Sequence, residues 1–271
     1  MILSIKHRTF YEYADPVFLE PHHLYFTPST RWYFDMLSFS LQVKPLPTGI
    51  SSRIDLENNS YYQSWFEEKI SDLEIQTQIR LSVESYNPFH FLTEMSLPPS
   101  TSLHPAYSRS VELSEGMVLW AKKLRAAKDS TLDYALQLNQ VIQNDWKYVS
   151  RETPGVLPPS ECFQTKSGSC RDLSWMMIQL LRANSIPSRF VSGYALNSKE
   201  KKGYDLHAWV EFLVPGAGWI ACDPTSGLLC DEQYIPLCAS YHYENTMPVQ
   251  GTYRGNSTSK LKHTIQIDIE K

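Results

Sequence analysis

The sequence predicts an α+β fold, with an N-terminal antiparallel β-sandwich followed by helices packed on an antiparallel sheet. Three observations carry this. Residues 1–85 hold short alternating runs separated by turn residues, residues 114–184 hold three stretches with helical spacing, and alternation returns beyond residue 186. A length of 271 residues, 42% hydrophobic and 20% charged, suffices for one or two cored domains and excludes a disordered, collagenous or coiled-coil chain.

The first element, residues 2–13, alternates apolar with polar or charged residues, among them Ser4, Lys6 and Arg8, the period of a half-buried strand. Residues 35–44, 61–66 and 73–83 read the same way, punctuated by Pro45, Pro47, Gly49, Asn58 and Asn59, and together they predict a domain over residues 1–95. Pro88, Pro98, Pro99 and Pro105 then interrupt a Ser/Thr-rich stretch that reads as a linker. Over 114–127, Met117, Val118, Ala121 and Leu124 recur at helical spacing; Ser130, with Asp133 three residues on, opens a second helix carrying Leu132, Ala135, Leu136, Asn139 and Ile142. These belong to a core expected over 110–245. A C-terminal extension, 246–271, ends in a strand where Leu261, His263, Ile265, Ile267 and Ile269 alternate with Lys262, Thr264, Gln266 and Asp268.

The balance of 25 basic against 29 acidic residues, without a basic run, leaves a phosphate backbone no place to dock, so nucleic acid is not an expected partner. No apolar run approaches the roughly 18 residues that span a bilayer, so no membrane partner is expected either. The first residues lack a signal-peptide pattern, and five cysteines, an odd number, favour reduced thiols. A cytoplasmic protein is the resulting expectation; oligomeric state is not legible.

Chemistry concentrates at residues 167–184. Leu173, Met176, Met177, Leu180 and Leu181 outline a helix with one buried face, Ser169 is its expected N-cap, and Asp172 completes a capping box. Cys170 therefore sits in the first turn, where unpaired N–H groups and the positive dipole end stabilise a thiolate. Gly168 beside it would let a substrate backbone approach. A thiol nucleophile needs a base. In residues 207–212, His207, Trp209 and Glu211 share one strand face; Pro215 to Gly218 signals a turn, and Asp223 shares a face with Trp219 on the return strand. A hairpin centred on Pro215 sets His207 directly opposite Asp223, close enough for the carboxylate to orient the imidazole. A lone buried cysteine, or a purely structural His–Asp pair, would account for each half separately.

With these residues in view, the chain resembles the transglutaminase-like superfamily in its bacterial form with an N-terminal β domain. The resemblance rests on Gly168-Ser-Cys170-Arg-Asp172, His207-Ala-Trp-Val-Glu211 and Asp223-Pro-Thr-Ser-Gly227, with residues 181–194 between the first two, and on His7 to Tyr13 with Pro16 and Val17 at the start. It implies a papain-like core, a Cys170–His207–Asp223 triad and acyl transfer through a thioester, with a peptide or protein amide as substrate and water or an amine as acceptor. No calcium-loop pattern is present and no cofactor is expected.

Within that reading, the Cys170 backbone N–H is one oxyanion donor, and Trp146 or Gln164 is a candidate for the second. Trp209, Trp219, Tyr194 and Tyr204 are candidate groove residues. Hydrolysis is the favoured outcome. Two other readings stand beside it: a binding module that retains the triad without turnover, and a zinc site built from Cys222, Cys230 and Cys238, whose eight-residue spacing fits neither a finger nor a ribbon.

Overall fold

The computed structural model describes residues 1–96, 103–128, 130–151, 153–196 and 206–270. The N-terminal strands are β1 (Ile2–Leu19), β2 (His22–Leu24), β3 (Phe34–Lys44), β4 (Gly49–Ile54), β5 (Ser60–Trp65) and β6 (Lys69–Val83). The central region comprises α1 (Glu115–Ala126), α2 (Thr131–Asp145), β7 (Lys147–Tyr148), α3 (Pro159–Thr165), β8 (Ser167–Gly168), α4 (Cys170–Arg182), β9 (Ser188–Ala195), β10 (Leu206–Val214), β11 (Gly218–Asp223), β12 (Leu228–Leu229) and β13 (Tyr234–Ser240). Three strands close the chain, β14 (Val249–Gln250), β15 (Tyr253–Arg254) and β16 (Ser259–Glu270).

β1 is the spine of the first sheet. It pairs antiparallel with β6 on one side and with β16 and β15 on the other, and β3 lies beyond β6. Its register with β6 shifts between Glu12 and Val17, where Pro16 has no N–H to give the ladder. A second sheet, β14-β2-β5-β4, covers one face of the first through Val17, Leu19, Leu24, Phe26, Leu73 and Ile75. The result is the expected sandwich. The C-terminal extension does not stand apart, because β14 completes the second sheet and β15 and β16 the first.

The central sheet has the order β12-β11-β10-β9-β13, all antiparallel. One face carries Ala208, Val210, Phe212 and Val214 against α4, with α1 and α2 packed beyond. On the other side, Tyr194, Ile235 and Leu237 pack on Leu3, Ile5, Ile79 and Leu81 of the N-terminal sheet.

α4 departs from the expected one-sided helix, since its polar positions are buried too. Gln179 is fully buried and accepts from the Val111 N–H at 2.9 Å, while Arg182 donates to the carbonyls of Arg109, Ser188 and Tyr241 at 3.2, 2.9 and 2.7 Å. The stretch read as a linker crosses this far side and satisfies it. It is anchored elsewhere as well: Tyr86 stacks on Tyr33 at 4.7 Å and donates to the Cys230 carbonyl at 2.8 Å. No helix among the described residues is long and apolar enough to cross a membrane.

Candidate active site

Ser169 and Asp172 form a capping box, so α4 starts at Cys170. One Asp172 oxygen accepts from both the N–H and the hydroxyl of Ser169 at 2.8 Å. The carboxylate also receives Arg151 at 3.0 and 3.2 Å and the Leu157 N–H at 2.6 Å, which fastens the preceding loop to the helix tip. A Cβ on Gly168 would lie 2.7 Å from the Asp172 Cβ and 3.2 Å from the Cys162 sulfur. The glycine is therefore required by packing behind the helix start.

β10 brings the imidazole to this tip. The Ser174 hydroxyl donates to the Ala208 carbonyl at 3.1 Å and fixes the helix against the strand, so Cys170, one turn earlier, meets His207 near the strand's beginning. His207 Nε2 lies 2.9 Å from Asp223 Oδ2, which leaves Nδ1 for the Cys170 thiol, whose charge acts on the same ring. All three residues are buried.

Burial opposes protonation of His207, but the Asp223 charge and then Cys170 outweigh it, holding the imidazole pKa well above its ordinary range. Burial likewise opposes ionisation of Asp223. The His207 charge and the bonds to Asp223 prevail, and its pKa is lowered.

The carboxylate is fully used. Oδ2 accepts from His207 and from the Tyr234 hydroxyl at 2.9 Å, and Oδ1 accepts from the N–H and hydroxyl of Thr225 at 2.8 and 2.7 Å. Thr225 could have been read from Asp223-Pro-Thr225, because an Asp side chain commonly accepts from the N–H two residues on. Tyr234 had no local signal.

The hairpin register differs from the one expected. Leu213 faces Trp219 and Val214 faces Gly218, so opposed positions centre on Gly216, not Pro215, and extending the ladder sets Asp223 across from Trp209. Pro215 and Gly216, the latter at φ +82°, make the turn, and Gly218 at φ +79° adds one more residue. His207 and Asp223 are diagonal neighbours on one face, still within side-chain reach.

The other thiols are set apart by their surroundings. Burial raises the pKa of Cys162 to about 12 and pushes Cys222, Cys230 and Cys238 well above the ordinary thiol range. Of the five cysteines, all unpaired, Cys170 is the one against an imidazole. No group of three or more His, Cys, Asp or Glu among the described residues is arranged to hold a metal ion.

The groove and oxyanion candidates divide. Trp209 and Trp219 line a cavity of about 330 Å³ with Trp32, Tyr33, Tyr86 and Tyr234, on the side of the central sheet facing the N-terminal domain. The Trp209 ring also lies nearly parallel to His207, with centroids 6.4 Å apart. Tyr194 is fully buried between the two domains with its hydroxyl 3.0 Å from His7 Nδ1, and lines no groove. Tyr204 lies outside the described residues. Trp146 has no free donor, because its indole N–H bonds the Cys162 carbonyl at 3.0 Å and its backbone N–H the Ile142 carbonyl at 3.0 Å. Gln164 is solvent-exposed on α3. The Cys170 N–H, at the first position of α4, has no carbonyl a turn earlier in the helix to bond.

Glu211, read from the sequence as a charge on a strand face, is only 4% exposed and lies between Arg31 at 2.8 Å and Arg189 at 2.6 Å. Arg31 comes from the N-terminal domain, so this triplet joins that domain to the strand bearing His207. A second tie is the β4–β5 turn: Asn59 exchanges bonds with the Ala239 N–H and carbonyl at 2.9 and 3.0 Å, and Glu57 accepts from Ser240, from the Tyr241 N–H and from Tyr107.

Known proteins agree with this architecture. The fold matches the solved structure of a proposed cysteine protease from Cytophaga hutchinsonii, with a TM-score of 0.77 at 18% identity over 99% of this chain and 90% of that one. An uncharacterized protein of Mycobacterium tuberculosis is 24% identical over 280 residues, 95% of this chain and 89% of its own length. A protein-glutamine gamma-glutamyltransferase of Pseudomonas aeruginosa is 40% identical over 70 residues, 23% of this chain and 10% of that protein. The family model of the transglutaminase-like superfamily matches residues 119–224 and that of the bacterial transglutaminase-like N-terminal region residues 3–82, and the chain belongs to the transglutaminase-like superfamily.

Proposed function

We propose that the protein is a thiol-dependent acyl-transfer enzyme acting on a peptide or protein amide, with Cys170 as nucleophile, His207 as its acid and base and Asp223 as the group that orients the ring. The observation that carries this reading is the buried imidazole held 2.9 Å from a saturated carboxylate, with the Cys170 thiol at the helix start acting on the same ring. The Cys170 sulfur attacks the amide carbon, forming a C–S bond, and the charge on the oxygen is met by the Cys170 N–H. The C–N bond then breaks as imidazolium gives its proton to the departing amine, leaving a thioester. Water, deprotonated by the now neutral His207, attacks that thioester, and release of the acid restores the thiolate–imidazolium pair. Hydrolysis is the preferred outcome; an amine taking the place of water would give transamidation by the same steps.

The test is mass spectrometry of a peptide library incubated with the protein, with and without a primary amine, alongside Cys170→Ala. Cleavage or deamidation that disappears in the variant supports hydrolysis, and amine incorporation assigns transfer. Turnover retained by a folded Cys170→Ala protein excludes the route. An intact protein whose Cys170 is inert to iodoacetamide at neutral pH supports the binding module instead.

A further inference from the structure

The outer strand of the first sheet carries a charge order that fits itself. Among the described residues β16 pairs with β1 alone, which leaves a twelve-residue strand whose other edge meets no described strand. Such an edge offers backbone donors and acceptors to another chain, and charged side chains are one common guard against that. β16 carries charges of both signs, which a second copy can pair. Its solvent face begins with Lys260 and Lys262 and ends with Asp268 and Glu270, all exposed. The opposite face buries Ile265 and Ile267 in the core but leaves Leu261 at 55% and Ile269 at 48% exposure.

From this we infer that β16 is a dimerisation edge, its partner the β16 strand of a second copy, antiparallel about a two-fold axis at Ile265. In that register Lys260 faces Glu270 of the partner subunit and Lys262 faces Asp268 of the partner subunit, each pair occurring twice by symmetry. On the other face Leu261 meets Ile269 of the partner subunit, so the two exposed apolar side chains cover each other. Moving the axis by one residue, to Thr264, puts Lys262 against Gln266 and leaves Glu270 without a basic partner. Charge and apolar pairing therefore select the same register, and the backbone adds about ten hydrogen bonds across the seam. Existing partners are exposed: Lys262 is 3.9 Å from Glu12 and Glu270 3.6 Å from Arg80, with every side chain of both pairs at least half exposed, and Asp268 accepts from the exposed Gln266 of its own strand at 2.9 and 3.3 Å. The other edge of the sheet, β3, is interrupted by a bulge between Met36 and Ser38 and presents no continuous ladder.

Sedimentation equilibrium of the full chain over a concentration series tests the assignment, with circular dichroism to check folding. The parent should approach twice 31.3 kDa with rising concentration. Lys262→Glu and Asp268→Lys should each set like charges opposite each other at two symmetric places and raise the dimer Kd about tenfold or more. The double variant Lys262→Glu with Asp268→Lys restores opposite charges and should return the Kd to near the parent value. A parent that stays at 31.3 kDa to the highest attainable concentration overturns the proposal. So do single variants with unchanged Kd, or a folded double variant that remains monomeric.

Discussion

Replacing Glu211 by Gln keeps the shape of the side chain and removes the charge lying between two guanidinium groups. Arg31 and Arg189 approach it at 2.8 and 2.6 Å, and Glu211 is only 4% exposed, so the variant leaves two positive groups facing each other without a counter-ion. Removing one partner from a fully buried pair costs about 3–5 kcal/mol. The Arg31 and Arg189 side chains are 24% and 14% exposed, so some of that is relieved by water and about 3 kcal/mol is expected. For a chain of this size that lowers Tm by roughly 6–12 °C.

The pH dependence gives a second check on the same triplet. Burial works against the Glu211 charge, but the two arginines prevail and hold its pKa below the ordinary carboxylate range. A depressed pKa in the folded state contributes stability that is complete above the unfolded value, about 4.3, and is lost as pH falls through the folded value. Urea unfolding of both proteins should therefore show the full gap at pH 7, narrowing below about pH 5 and closing once Glu211 takes up its proton. A gap under about 1 kcal/mol at pH 7, or one of equal size at pH 3, would refute the ion-triplet account.

Three further outcomes follow from the site. Tyr234→Phe removes one of four donors to Asp223 and should cost about 1–2 kcal/mol; the carboxylate becomes more basic, and the alkaline limb of kcat/KM moves to higher pH, whereas an unmoved limb argues against the contact. The parent's own alkaline limb should lie above the ordinary histidine range, because the raised His207 pKa keeps imidazolium available at neutral pH and the acid is lost as pH rises through that value; a limb near 6.5 in the pH–rate profile contradicts it. Gly193→Ala would place a Cβ 2.2 Å from the Ile235 carbonyl oxygen and 2.7 Å from the Trp209 ring, so β13 or Trp209 must shift; a loss of about 2 kcal/mol or more in chemical denaturation is expected, and a neutral effect would contradict the packing.

Where the sequence could be read, the reading was local. Ser169 and Asp172 announce the start of α4, and with it the position of Cys170. Alternation in residues 207–212 assigns His207 and Trp209 to one face. The hairpin register went astray by a single glycine: Pro215 and Gly216 mark the turn, but the extra residue at Gly218 depends on backbone geometry that the tetrapeptide leaves open. The remaining misreadings are long-range. Gln179 and Arg182 look like the wet side of a helix until Arg109, Val111 and Tyr241 cover them. Glu211 looks like a surface charge until Arg31 arrives from 180 positions away. Tyr194 and Trp146 look available until His7 and the Cys162 carbonyl occupy their polar ends. The alternation in 261–269 declares a strand but not its partner, and nothing in those residues says that the neighbour is β1.

That last pairing has a temporal consequence. Ile2 lies beside Glu270, so during synthesis β1 waits for β16 before its ladder is complete. At roughly 5–20 residues per second the interval between them is on the order of 10–50 s. The central helices and their sheet can be made, and begin to pack, within that time. The N-terminal sheet is thus finished after the central core, its long spine held open on one flank while the residues between its strands are synthesised.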